Sequence, residues 1–469
     1  MTWLVPVAMF GWIPLTLLLF LVLRPREAAL ASTVFGFLFL PMAQYELTGF
    51  PEYHKQAATA VAVLLGILVF DPAALGRLRL SLIDVPIAVW CLIPFASSMS
   101  NELGAYDGLS VAFSRTVTWA VPCFVGRVYC SDRTGMMLLA KMVVIAGVIY
   151  MPLCWWEVRM SPQLHNTLYG FVPRTWSQMI RYGGYRPIVF LQSPLAVGMV
   201  IAAATVACTW LASSGAWRTL KGVPTTWFIA PLGVTTVLNK MAGSLTLTII
   251  GVALFFVLRT SRRALPLVVL IVVFGSYPFA RLSGQLGADR ILSVVSQVYP
   301  AERVRSLTVR LRSEDMMGEK AMSRSPLFGA GGWGRMDVYD DMGRKITIPD
   351  GLWIIAVGQN GLVGLTALAF MYLLPACLVL RRYPVARLTA REMAPVGALV
   401  MTSVMYWIDS LVNAMINPIF ITGMGALGGF VLAQGRVRGR PRRRVASAAG
   451  VATAAGPIEG APTRAARSR

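Results

Sequence analysis

The chain has 469 residues, of which 56% are hydrophobic and 14% charged, with a mean hydropathy of +0.64. That balance excludes an ordinary soluble domain and points to an all-α polytopic membrane protein. The net charge of +22 comes without an aromatic-basic module, which argues against nucleic acid as a partner, and two histidines and six scattered cysteines leave no ligand set for a transition metal and no disulfide frame.

In chain order, apolar runs predict spans near 3–23, 28–47, 57–70, 84–99, 106–126, 135–156, 190–212, 225–239, 243–258, 263–280, 351–379, 393–411 and 418–434, so 12–13 transmembrane helices. Met1–Leu23 has no charged leading region and no small-residue cleavage pattern, so it is expected to remain as a span. Basic residues gather in alternate connectors: Arg24 and Arg26, Arg77 and Arg79, Arg127 and Arg133, Arg218 and Lys221, Arg259, Arg262 and Arg263, then Arg381, Arg382, Arg387 and Arg391. By the positive-inside rule these connectors are cytoplasmic, and the C-terminus follows them. The expected divisions are N-terminal spans over 1–280, a long periplasmic loop over 281–350, C-terminal spans over 351–434, and a basic cytoplasmic tail over 435–469 attracted to anionic membrane lipids.

The polar residues with chemical potential fall on the opposite, outward side. The segment after the sixth span carries Glu157, Arg159 and His165, followed by Arg181-Tyr-Gly-Gly-Tyr-Arg186-Pro. A short turn then carries Asn239-Lys240-Met-Ala-Gly-Ser244. Within the long loop, Val304, Leu307 and Leu311 recur at helical spacing through Pro300 to Arg324. At about 100° per residue, Arg303 and Arg310 share one face of that helix, and Arg305 and Arg312 share a nearly opposite one. Two readings are open: an interfacial helix whose arginines meet lipid phosphates, or a guanidinium clamp on a pyrophosphate.

The loop continues through Pro326-Leu-Phe-Gly-Ala-Gly-Gly-Trp-Gly-Arg335, where the glycines serve either as a hinge or as a phosphate cradle, with Arg335 a further binding candidate. Asp350 precedes the next apolar run, where it is placed to cap the helix, to act as a base, or both. Trp176, Trp333 and Trp353 suit either an interfacial belt or sugar stacking. Asp409, Asn413 and Asn417 recur every four residues near the end of the twelfth run, and an intramembrane carboxylate needs a partner or a task.

The order of these pieces resembles the bacterial O-antigen ligase and O-antigen polymerase family. They are the Arg181–Arg186 segment, Asn239 to Ser244, the arginine-bearing loop helix, Pro326-Leu-Phe-Gly-Ala-Gly-Gly, and a polar residue opening a span that contains Gln359-Asn-Gly-Leu-Val-Gly364. The resemblance covers about residues 157–260 and 303–366 and implies a metal-independent inner-membrane glycosyltransferase of GT-C architecture, with no cofactor. It further implies an undecaprenyl-pyrophosphate-linked glycan as donor, a glycan acceptor, and a chain-length regulator as a possible partner of a polymerase. Carried over, a loop arginine (Arg310 or Arg312) and Arg181, with Arg186 as second candidate, hold the pyrophosphate. The family's usual histidine is replaced here by Asp350, and its serine-arginine pair by Lys240 and Ser244. An aspartate is ionised at neutral pH and can accept a proton, so the role of base is chemically open to Asp350. The expected catalytic set is therefore Asp350, Arg310 and Arg312, with Arg181, Arg186, Lys240, Arg159, His165 and Arg335 binding substrate. A transporter or flippase of lipid-linked glycan is the alternative class, although no inverted repeat is visible. A scaffold that has lost catalysis is the third reading.

Overall fold

The computed structural model describes residues 1–46, 52–297 and 301–439, excluding the side chains of 302, 303, 306 and 434–439. The expectation for the Arg303 side chain and that for the basic tail from 440 onward therefore lie outside the described residues, and of 435–439 only the helical backbone is described.

Helices occupy every one of the expected spans, and eight are long and apolar enough to cross a membrane. They are Leu4–Val22, Leu82–Ser100, Ala105–Tyr129, Arg133–Met160, Pro194–Ser213, Ala242–Ser261, Leu265–Leu282 and Leu352–Arg382. Shorter apolar helices at Lys55–Phe70, Thr225–Leu238 and Pro418–Ala433 complete a multi-pass, all-α bundle whose only strands, among the described residues, form three two-residue hairpins.

Pro194–Ser213 is the central post of the bundle. Its window is 89% buried, and it is built from small residues such as Gly198, Ala202, Ala203 and Ala204 that let neighbouring helices approach closely. Ser193 caps its start by accepting the Ala196 amide. Glycine sets a second close contact, between Ala105–Tyr129 and the last helix. A Cβ added at Gly126 would overlap the Thr422 carbonyl, and one at Gly425 would overlap the Cys123 carbonyl. Each helix thus offers glycines to the backbone of the other.

The loop expected over 281–350 is not a plain connector. It contains Ala288–Val295 and the 24-residue helix Ala301–Arg324, hereafter the loop helix, followed by an irregular segment that returns to Leu352. The loop helix packs against Leu265–Leu282 and against the start of Leu352–Arg382, so it lies over one end of the bundle.

Candidate functional site

The loop helix, the segment that returns from it, and the kinked helix Leu352–Arg382 meet at the expected acid-base position. Arg310 Nε and Asp350 Oδ2 form an ion pair at 2.8 Å, with the two side chains 37% and 34% exposed. One turn further along, Ser313 Oγ accepts the Ile348 amide at 3.2 Å, which fixes the approach to Asp350. Of the two arginine faces left open by the sequence, the one bearing Arg310 therefore looks at Asp350. Arg312 is exposed and joins no ion pair among the described residues. Asp350 makes no capping bond: the helix starts from Gly351, which supplies no side-chain cap.

The loop helix is pinned from below by Arg281, whose side chain is 1% exposed. Its Nη2 donates to the Leu311 carbonyl at 2.8 Å and to Glu314 Oε2 at 3.3 Å, and its Nη1 contacts Asp315 Oδ1 at 3.0 Å. Burial pushes the Glu314 carboxyl up to about 7 against the opposing pull of Arg281. Arg281 was read as the first residue of the loop; the structure gives it the task of anchoring that loop to the bundle. The only sequence signal was an arginine at the end of an apolar run followed, 33 residues on, by two adjacent carboxylates.

The glycine cluster engages the protein's own backbone. Gly361 sits at φ 62 and breaks the kinked helix. Into that break fold Pro326 to Gly331: Ala330 and Gly331 donate to the carbonyls of Gly358 and Gln359, and Leu362 and Val363 donate to those of Pro326 and Leu327. A Cβ at Gly329 would collide with the Gln359–Asn360 backbone, and one at Gly361 with Leu327. Non-helical backbone at this depth needs such internal partners, so the cluster is explained by the helix break it fills. Ser97 and Asn101 complete the joint by donating to the Phe328 and Gly329 carbonyls, and Asn360 Nδ2 donates to Ser97 Oγ. Arg115, which the sequence reading passed over inside an apolar run, donates to Gln359 Oε1 at 3.0 Å and stacks 4.2 Å from the Trp90 ring.

A second cluster gathers around the hairpin in which Ile180–Arg181 pairs with Gly184–Tyr185. Arg186 is buried, donates to the Gln178 carbonyl at 2.9 Å, and lies against Met241 Sδ. The neighbouring Lys240, at φ 54, brings its Nζ so close to Gly184 that a Cβ there would overlap it. Arg186 and Lys240, which are 54 positions apart in sequence, thus border the same hairpin. Beside them Asn239 is fully buried, with neither amide atom hydrogen-bonded among the described residues.

Glu157 and His165 are turned inward. Glu157 accepts the amides of Leu164, Ile188 and Val189 at 2.8–3.0 Å, and so holds Val189 at φ 49, a conformation rare for a β-branched residue. His165 donates from Nδ1 to the Phe171 carbonyl and accepts the Met42 amide at Nε2, so both ring nitrogens are occupied within the fold. Burial drives its pKa down to about 4. Arg159 and Arg335 are both exposed, Arg335 folding back along Gly332. Trp333 and Trp176 are exposed, whereas Trp353 is buried. Asp409 is buried and accepts Asn413 Nδ2 at 2.7 Å, which accounts for the first four-residue step, whereas Asn417 lies beyond the helix end and accepts the Ile419 amide. Among the described residues no cluster of histidine, cysteine, aspartate or glutamate is arranged to hold a metal ion.

No family model matches this chain, and no curated protein matches it.

Proposed function

We propose that the protein is an inverting membrane glycosyltransferase that transfers or polymerises a glycan carried on undecaprenyl pyrophosphate, in the manner of the O-antigen ligases and polymerases it resembles, at the periplasmic face of the bacterial inner membrane. The observation that carries this reading is the Arg310–Asp350 pair, in which a carboxylate and a guanidinium face one another at partial exposure where the loop helix meets the bundle. An exposed pair contributes about 1 kcal/mol at most to stability, so breaking it is expected to leave the fold intact.

In the proposed reaction an acceptor hydroxyl attacks the anomeric carbon of the donor. The new C–O bond forms as the bond from that carbon to the pyrophosphate oxygen breaks, and configuration inverts. Asp350 takes the hydroxyl proton, and the electron pair of the broken bond stays on the pyrophosphate. Charge growing on that leaving group is met by guanidinium N–H donors: Arg310 faces Asp350 through Nε, and its terminal nitrogens join no ion pair among the described residues. Lys240 at the hairpin and Arg181 on its first strand supply further positive charge for the donor's phosphates, while the buried Arg186 holds the hairpin in shape.

The test is glycan transfer in proteoliposomes from an undecaprenyl-pyrophosphate-linked oligosaccharide, comparing wild type with Asp350→Asn and Arg310→Ala. Loss of product in both variants with folding retained supports the reading. Movement of the donor between leaflets without product would assign the protein to the transporters instead.

A further inference from the structure

Between the glycine joint and Asp350 the chain makes a short ribbon that no step of the proposed reaction uses. Tyr339 and Lys345 pair across it, the amides of Asp340 and Ile346 donate to the carbonyls of Arg344 and Val338, and Gly343 at φ 73 turns its tip. Its base is fixed: Met336, Asp337 and Thr347 are buried, and Lys320 of the loop helix donates to the Asp337 carbonyl. Its outer side chains are large, apolar and uncovered. Trp333 is 72% and Met342 78% exposed, and Tyr339, Ile346 and Ile348 are exposed as well.

Position, continuity and charge together say what covers them. Gly331 is bonded to Gln359, about 10 Å inside the membrane-length helix that opens at Leu352, and Asp350 returns the chain to the head of that helix. Both ends of the ribbon are thus tied to the first two turns of one span, and its tip, four residues beyond Val338, reaches only about 13 Å further. Leu327 and Phe328 fold into the break within that span and are themselves exposed, so uncovered apolar side chains run along the chain from membrane depth out to the ribbon. Residues 332–349 hold three cations and three anions, and four of the six neutralise one another: Asp337 with Lys345 at 2.6 Å and Asp340 with Arg344 at 2.9 Å. That pairing consumes the polar groups a glycan would need and leaves no net charge to draw a charged macromolecule. The amphipathic rings of Trp333 and Tyr339 instead match a layer that is apolar on one side and wet on the other.

We propose that the ribbon is an interfacial anchor, entering the lipid headgroup layer beside the bundle, on a zwitterionic surface as readily as on an anionic one. Tyr339 and Ile346 fall on opposite faces of the ribbon, so lying flat would cover only one of them, whereas entry tip first, led by Met342, covers both. Asp341 at the tip confines that entry to the headgroups, because a carboxylate is costly in hydrocarbon. Ile348, whose amide is held by Ser313, brings the anchor to within two residues of Asp350. On the transferase reading, on which this consequence alone rests, the anchor sets the height of the Asp350 carboxylate against lipid-linked phosphates.

The experiment is power-saturation electron paramagnetic resonance of a nitroxide on Met342→Cys, in the full-length protein carrying Cys377→Ala and held in phosphatidylcholine nanodiscs. A label on Glu319→Cys, at an exposed position of the loop helix, is the reference. The label at 342 is expected to favour oxygen over a water-soluble nickel chelate severalfold more than the reference does, and adding phosphatidylglycerol should change this little. Tyr339→Asp with Ile346→Asp, both at exposed positions, should return the label to water. Equal accessibility at 342 and 319 would overturn the anchor. So would protection of 342 from both reagents, which would mean that a protein partner or a second copy covers the ribbon, and so would protection that appears only with phosphatidylglycerol, which would mean docking by charge. Insertion by a protein that transfers no glycan would leave the anchor standing and remove the transferase, whereas transfer with a water-exposed ribbon would do the reverse.

Discussion

Two regions at the loop end of the bundle are comparably rich in charge and use it in opposite ways. Between Glu157 and Ser193 the buried Glu157 and His165 are consumed by backbone: one carboxylate holds three amides, and one imidazole bridges an amide and a carbonyl. Between Arg281 and Asp350 the charges hold one another across separate elements, first as the buried Arg281–Glu314–Asp315 anchor and then as the half-exposed Arg310–Asp350 pair. A charge saturated by backbone can only shape the chain. A charge held by another side chain can exchange that partner for a ligand, which is why the second region is the better place to look for chemistry.

The comparison breaks most sharply under substitution of the pair. Asp350→Asn and Arg310→Ala are expected to lower glycan transfer by roughly 10²-fold or more, the scale of a lost general base or charge stabiliser, with the thermal midpoint nearly unmoved. Retained turnover in both would erase the distinction between the regions. Glu157→Gln should do the converse. Its amide cannot accept all three backbone N–H groups, so a loss of about 2–3 kcal/mol in stability should be visible as a lower melting temperature in detergent.

The two regions should also respond to pH with opposite signs. Glu314 is raised in the folded protein from 4.5 to about 7, so its stabilising contribution is complete below about 4.5 and is lost as pH rises through about 7. His165 is lowered from 6.5 to about 4, so its contribution is complete above about 6.5 and is lost as pH falls through about 4. Hydrogen exchange of the loop helix should therefore quicken between pH 5 and 7, and Glu314→Gln should flatten that slope. Exchange near Phe171 should quicken as pH falls from about 6.5 to about 4. The smallest effect is expected at Arg312: Arg312→Ala should leave transfer within about twofold, because an exposed arginine off the Asp350 face is worth little. A loss as large as that of Arg310→Ala would mean that both faces of the loop helix serve the reaction.

The spans were legible because membrane-length apolar runs leave little choice of structure, and the loop helix because Val304, Leu307 and Leu311 keep helical spacing. Which arginine would meet Asp350 was only half legible. Periodicity separates Arg310 from Arg312 into two faces, but the face that turns towards the bundle depends on Arg281 and its two distant carboxylates. The joint between Pro326–Gly331 and the helix break was hidden for a similar reason. Glycines state that backbone comes close, not to what, and the answer lay in Gln359-Asn-Gly361, polar letters inside an otherwise apolar run. Arg115 was overlooked because one charge in such a run carries no mark of its partner. The roles of Glu157 and His165 could not be separated from ligand contact, because hydrogen bonds to backbone leave no trace in residue type.

The glycine-mediated seam between Ala105–Tyr129 and the last helix bears on how the protein is made. The carbonyls of Thr422 and Cys123 are approached by glycines from the partner helix, so each surface is complete only once the other is present. Synthesis runs from the N-terminus, so the helix that begins at Pro418 is made long after Ala105–Tyr129, and the notch at Gly126 exists before the surface that fills it. The seam is thus a long-range closure: a chain lacking the Pro418 helix would leave the backbone of Cys123 and Gly126 without the surface that fits it.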